Sequence, residues 1–461
     1  MEKNELLNEN PKKQNDEPRF VISESNDDNH NHHRSESGSH HHSHHHSSHH
    51  HSHHHSKKHS GKKNRLMKKL KNSFKGDKKL LMIIISVFTA VVVLCLGFFL
   101  IKGTDDIKTG IGQSEQKTVI PIEVSTFTEP VSLANEAVVE YMNSSPHIIG
   151  TDVFKAYRKT GRLDKGLGVT LSYSLGNLPS DIYVTSANAE VWEESDFENA
   201  WFVSFSGAET SLKVYNLKSG THYFYRINVM LSDGSLGSGT GEFYSGDYPR
   251  ILNYEGAVNV RDIGGWTTEN NQKIKQGLLF RGSELDGRFE KAFRLTNSGA
   301  FSMLNELKIK TDMDLRAASE NTVSPLGIGV EHNYYNSPAY SDVFSSNGKE
   351  KIRRIFSDLA NPDNYPIYLH CTHGVDRTGT VSFILEALLG VSEDNLIRDY
   401  ELSGLYYSDV SRESKTEFVD FLNKFKAIEG DTFAKKAETY LLSAGVSQKE
   451  IESIRTILLE N

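Results

Sequence analysis

The chain has 461 residues, enough for two or three domains, and a hydrophobic content of 37% is low for one globular body of that size. Its two cysteines, Cys95 and Cys371, exclude a disulfide framework, since Cys95 lies within an apolar run. The net charge of −8 is unevenly spread: residues 57–79 carry eleven Lys or Arg against one Asp, so the remainder is acidic, which argues against nucleic acid as a partner of the C-terminal part.

Residues 1–56 are polar, lack apolar periodicity and are predicted to be disordered. Sixteen of the 21 histidines fall between His30 and His59, largely as HHHS units. Such a tract is either a weak multidentate ligand for zinc, nickel or copper or a solvated low-complexity tail, and the solvated reading is the simpler. With the basic block that follows, residues 1–79 form a His-rich, basic N-terminal tail. Leu80 to Ile101, LLMIIISVFTAVVVLCLGFFLI, is then 22 residues without a charge. At about 1.5 Å of rise per residue it can cross a hydrocarbon core of ~30 Å. It is too long and too far from the N-terminus for a cleaved signal peptide. Positive charge is concentrated before it and KGTDDIKTG follows, so the positive-inside rule puts the N-terminus in the cytoplasm. The basic block would rest on anionic headgroups. A single-pass signal anchor in the cell membrane is expected, with everything from Lys102 onward extracellular.

Residues 102–118 read as a polar, glycine-containing linker. From 119 to 248 the texture is that of short alternating strands, at 169–175, 181–194, 209–217 and 221–231, separated by turn residues. An antiparallel, all-β sandwich is predicted. Residues 130–160 do not fit the strand pattern and read as a helical or irregular lead-in. The segment LKVYNLKSGTHYFYRINVMLSDGS resembles the end of a fibronectin type III or immunoglobulin-like domain. That resemblance implies a tyrosine-corner role for Tyr223, its hydroxyl bonding nearby backbone. The sandwich carries no catalytic cluster and is expected to be a spacer or docking module.

Residues 249–461 read as an α/β domain. The β-prone stretches TDMDL and PIYLH are separated by helical patterns over 287–307, 350–359 and 379–389, which predicts a parallel sheet flanked by helices. Ligands bind outside the carboxyl ends of such strands, where Asp314-Leu315-Arg316 and Cys371 fall. Three further helical patterns (413–427, 431–443, 447–459) close the chain, the last opening with Ser447 and Glu450 at capping-box spacing.

One stretch carries the chemistry: YLHCTHGVDRTGT, Tyr368 to Thr380. A strand, a tight polar loop and a helix start bring loop N–H groups and the unpaired donors of the first helical turn together, which is an anion cradle of phosphate size. A cysteine at its mouth is favoured as thiolate, the nucleophilic form. Arg377 has the planar fork that grips two phosphate oxygens, Thr378 can give the sulfur a hydrogen bond, and Gly374 and Gly379 allow close backbone approach. The sequence shows no compact His/Asp metal cluster in this half of the chain.

His370-Cys371, five residues, then Arg377-Thr378-Gly379 resembles the signature loop of cysteine-dependent protein phosphatases. The form HCxxGxDRTG is similar to that of the bacterial tyrosine phosphatase family. NVRDIGGW (259–266), GLLFRGSEL (277–285), KIKTDMDLRAASE (308–320) and RDYELSG (398–404) resemble further motifs of that family in order. The resemblance implies a phosphoric monoester hydrolase acting on a phosphorylated protein or a small phosphomonoester, without metal or cofactor. It implies Cys371 as nucleophile, Arg377 on the oxyanion and Asp376 as general acid, with Asp314 and Asp262 as the alternatives for the acid. Asp314 could equally do no more than pair with Arg316, and Asp262 no more than order the Gly264-Gly265 turn. Thr372, His373, Gly374, Val375, Thr378 and Gly379 would line the phosphate site, His370 would tune the thiolate through the backbone, and Arg261, Arg281 and Arg316 would either extend the phosphate surface or form ion pairs. Related loops that prefer multiply phosphorylated substrates often carry lysine at the position of Val375, so this loop favours phosphotyrosine, phosphoserine/threonine or a simple monoester. The competing classes are a catalytically weak phosphate-binding or adhesion module on a β-sandwich stalk, and a sulfurtransferase, which Asp-Arg-Thr-Gly does not suit.

Overall fold

A computed structural model of the chain describes residues 119–143, 164–194, 200–205, 209–247, 249–319, 323–407 and 415–460, all within one compact unit. The His-rich tail, the apolar run Leu80–Ile101 and the linker lie outside the described residues. Among the described residues no helix is long and apolar enough to cross a membrane.

The N-terminal part is a two-sheet sandwich. Its strands are β1 (Val119–Pro121), β2 (Glu123–Val124), β3 (Val169–Ser174), β4 (Val184–Glu193), β5 (Trp201–Ser204), β6 (Ser211–Val214), β7 (His222–Leu231) and β8 (Leu236–Tyr244). One sheet runs β1-β8-β7-β4-β5 and the other β2-β3-β6. β7 shows why the strand pattern was legible: Tyr223, Tyr225, Ile227, Val229 and Leu231 are buried, and the residues between them are not. The expected antiparallel pairing holds except at β1, which pairs parallel with β8. Lys218 donates its backbone N–H to the Tyr223 hydroxyl at 2.8 Å, five residues upstream, as a tyrosine corner requires. In the lead-in, Glu136–Asn143 forms a helix, α1, which packs Ala137, Val138 and Tyr141 against Ile251, Leu402 and Leu405 of the C-terminal part.

The C-terminal part has a five-stranded sheet in the order β12-β11-β13-β10-β9, made of β9 (Arg261–Asp262), β10 (Leu279–Gly282), β11 (Thr311–Asp314), β12 (Glu331–Tyr334) and β13 (Ile367–His370). The sheet is mixed, not purely parallel: β9 runs antiparallel on β10 at one edge. The helices are α2 (Asn297–Leu307), α3 (Ser346–Leu359), α4 (Asp376–Leu388), α5 (Glu393–Leu402), the single turn α6 (Gly404–Tyr407), α7 (Thr416–Lys426), α8 (Phe433–Ser443) and α9 (Gln448–Leu458). The helix expected over 287–307 is shorter, because Gly287 takes a left-handed φ of 63° and Thr296 caps a fresh start at Asn297. The Ser447–Glu450 capping box forms as its spacing predicts. α4 is apolar nearly all round, and every residue from Thr378 to Leu388 is buried, so it is the central helix of the main core.

The two parts meet through buried polar groups. Arg250, 3% exposed, donates to the carbonyls of Asn216 at 2.7 Å and Leu217 at 3.0 Å and pairs with Asp262 at 2.8 Å. Arg398 of α5 donates to the Tyr141 carbonyl of α1 at 2.6 Å.

Candidate active site

β13 ends at His370, the chain turns through Cys371–Val375, and α4 starts at Asp376. The N-cap of α4, Val375, gives no side-chain cap, whereas α2, α3, α5, α8 and α9 are capped by Thr296, Ser345, Ser392, Thr432 and Ser447. Its first-turn N–H groups are therefore left for the loop and whatever the loop holds. The loop carbonyls are drawn the other way. Thr372 O accepts from the Glu284 N–H at 2.9 Å, His373 O from Asn259 Nδ2 at 3.1 Å, and Gly374 O from Asn259 Nδ2 at 3.2 Å and Arg281 Nη2 at 2.9 Å. Because the peptide unit is planar, pulling these carbonyls outward turns the following N–H groups inward. Gly374 sits at φ 71°, and a side chain there would strike the Gly282 carbonyl, so the tight loop requires glycine.

Cys371 is 3% exposed. Burial pushes its thiol up, but the Arg377 guanidinium and the hydroxyl and N–H of Thr378 more than offset that, so the thiol lies below its ordinary value. Thr378 Oγ1 is buried with no other group to serve. His370, directly beneath, donates Nδ1–H to the Cys371 carbonyl at 3.1 Å and places Nε2 2.9 Å from Asp312 Oδ1. Burial pushes His370 down, yet Asp314 and Asp312 raise it to about 9. It is thus a cation near neutral pH and unsuited to act as a base.

Asp376 is the first residue of α4, and its side chain is 43% exposed. Its Oδ1 accepts from the Tyr340 hydroxyl and lies 3.3 Å from Lys415 Nζ, while Tyr340 also bonds the Tyr400 hydroxyl at 2.7 Å. Neither Tyr340 nor Lys415 stands out in the sequence, because both come from connections distant from the loop. His373 packs edge-on against Phe293 at 5.5 Å, and Val375 is buried. A Cβ at Gly379 would come within 3.1 Å of the Tyr400 ring, so glycine there lets α4 pack closely on α5.

The remaining sequence candidates sort by partner. Arg261 is not on a phosphate surface: it is 2% exposed, paired with Asp399 at 3.0 Å, and donates to Asn259 Oδ1 at 2.7 Å. Arg281 pairs with Asp399 at 2.6 Å while holding the Gly374 carbonyl. Both position the loop from behind. Asp314 is clamped by Arg316 at 2.6 Å and does not face the loop as a free acid; burial pushes it up, but His370, the His332 ring and Arg316 hold it well below the usual carboxylate range. Arg316 in turn binds Glu284 and Asp286. Asp262 Oδ1 accepts the Gly264 N–H at 2.8 Å and so orders that turn.

Residues 252–460 match the family described as the tyrosine phosphatase family. A protein of Cupriavidus necator carrying a tyrosine-protein phosphatase name is 22% identical over 175 residues, covering 32% of this chain and 61% of that protein. A tyrosine-protein phosphatase of Nostoc commune is 24% identical over 210 residues, covering 36% of this chain and 71% of the relative. The chain thus spans less than two thirds of the Cupriavidus protein. Among solved structures, the core catalytic domain of the PP-IP phosphatase SIW14 from S. cerevisiae, in complex with citrate, aligns over 39% of this chain and 85% of its own at 14% identity, with a TM-score of 0.23.

Proposed function

We propose that the phosphatase-family segment, a phosphoric monoester hydrolase by its relatives, works through a cysteinyl-phosphate intermediate on phosphotyrosine or a related monoester. The observation that carries this is the buried Cys371, lowered by Arg377 and Thr378 at the mouth of a loop whose carbonyls are pulled away from it. Cys371 Sγ attacks phosphorus in line as the P–O bond to the leaving group breaks. Arg377 and the inward N–H groups take the charge of the equatorial oxygens. Asp376, protonated, gives its proton to the leaving oxygen. Water then attacks phosphorus, the P–S bond breaks, Asp376 takes the water proton, and inorganic phosphate leaves. Tyr340 and Lys415 hold Asp376 at the loop's edge. The simple monoester preference rests on Val375, which adds no charge.

The chain around this domain supports a tethered enzyme. The uncharged run Leu80–Ile101 and the basic block before it fit a single-pass anchor, with the catalytic domain outside the cell. The sandwich, with its tyrosine corner at Tyr223, fits a fibronectin type III-like spacer. The test uses the full chain in detergent with p-nitrophenyl phosphate. Cys371→Ser is expected to abolish turnover, and acid-quenched wild type to carry labelled phosphate on Cys371. Equal rates for both proteins would end the proposal. Topology is read by protease shaving of intact cells: survival of the C-terminal part with loss of residues 1–79 would reverse the orientation.

A further inference from the structure

A second cluster lies on the sheet behind the loop, and the proposed reaction does not use all of it. The register pairs Asp312 with His332 and Asp314 with His370, so strand alternation sets these side chains on one face of β11, β12 and β13. One donor atom each of Asp312, His332 and His370 lies within 4.8 Å of the others. The side chains of His332 and His370 are 1% exposed and that of Asp312 0%. Neither ring nitrogen of His332 makes a hydrogen bond; Nε2 stands 3.7 Å from Asp312 Oδ2 and 3.6 Å from Asp314 Oδ2. His370 Nε2, though 2.9 Å from Asp312 Oδ1, is off the direction a hydrogen bond needs. A buried imidazole that forms no hydrogen bond, its Nε2 held only at ion-pair range between two carboxylates, is costly, and a ligand would relieve that cost.

We propose that Asp312, His332 and His370 bind a divalent transition-metal ion, zinc by donor type. Two imidazole nitrogens and a carboxylate oxygen are a zinc set, and donors at about 2.0–2.2 Å from an ion need only small side-chain rotations from the observed spacing. The outer partners are those of a metal site. His370 Nδ1–H is fixed on the Cys371 carbonyl, which leaves Nε2 for the ion, and Ser324 donates to Asp312 Oδ2 at 2.6 Å. The ion would replace a proton as the positive charge between Asp312 and Asp314. Buried behind the sheet, it ties three strands together, among them the one that leads into the nucleophile, and it takes no part in substrate binding.

The test compares the full chain with its Asp312→Asn/His332→Gln variant, so that any metal held by the N-terminal histidines cancels. Wild type is expected to melt several degrees higher in zinc than in EDTA, and the variant to show no such shift. Cobalt(II) should give wild type the visible absorption of an ion bound by nitrogen and oxygen ligands out of bulk water, absent from the variant. Identical cobalt spectra in two folded proteins would overturn the proposal. If the variant does not fold, wild type alone decides: equal melting temperatures in zinc and EDTA sink it. Both readouts are independent of phosphatase turnover.

Discussion

At the scale of single residues, the site rests on a competition at one sulfur. Burial alone would make Cys371 a poor acid, and Arg377 with Thr378 reverses the sign. Because the folded value is depressed, the thiolate persists to lower pH than an ordinary thiol titrating near ~8.5. Alkylation of Cys371 by iodoacetamide, followed by mass spectrometry, is therefore expected to reach half its limiting rate below that value. In Arg377→Ala the midpoint should move up. A wild-type midpoint at the ordinary value would remove the basis for nucleophilic attack. Glu386, buried in α4 beside Asp399, is the opposite case: burial first, and then Asp399, raise it well above its usual range, so it stays a neutral acid.

At the scale of elements, the loop is a joint between β13 and α4 held open by β9, β10 and α5. Asp399 of α5 receives both Arg261 and Arg281, and those two hold Asn259 and the Gly374 carbonyl. Removing one partner of a buried charge network leaves the others uncompensated, at a cost of about 3–5 kcal/mol. Asp399→Asn is expected to lose stability on that scale in urea titrations. It should also lose turnover beyond the fraction unfolded, because the loop carbonyls would no longer be pulled outward. A variant as stable as wild type would mean the two arginines find other partners.

At the scale of the whole molecule, the sandwich and the α/β part are joined by Arg250, whose donors reach Asn216, Leu217 and Asp262. Arg250→Met would leave the buried Asp262 carboxylate without its cation, and the sandwich backbone without its donor. Calorimetry of the described unit in the full chain is expected to show one transition for wild type and two, the lower shifted down, for the variant. One unshifted transition would show that α1 and its apolar contacts with Ile251, Leu402 and Leu405 suffice.

The strand–loop–helix unit around Cys371, the alternating strands of the sandwich and the Ser447–Glu450 cap were all legible in the sequence. Each is set by neighbours a few residues apart, where backbone period and hydrogen-bonding reach are local. What the sequence left open between surface and ion pair, the tertiary structure decided: Arg261 against Asp399, Asp314 against Arg316, Asp262 in its turn. Tyr340 and Lys415 at Asp376, and the meeting of Asp312, His332 and His370, were not legible at all. Those partnerships depend on strand register and on how distant connections pack, and a shift of one residue in register would face each side chain the other way.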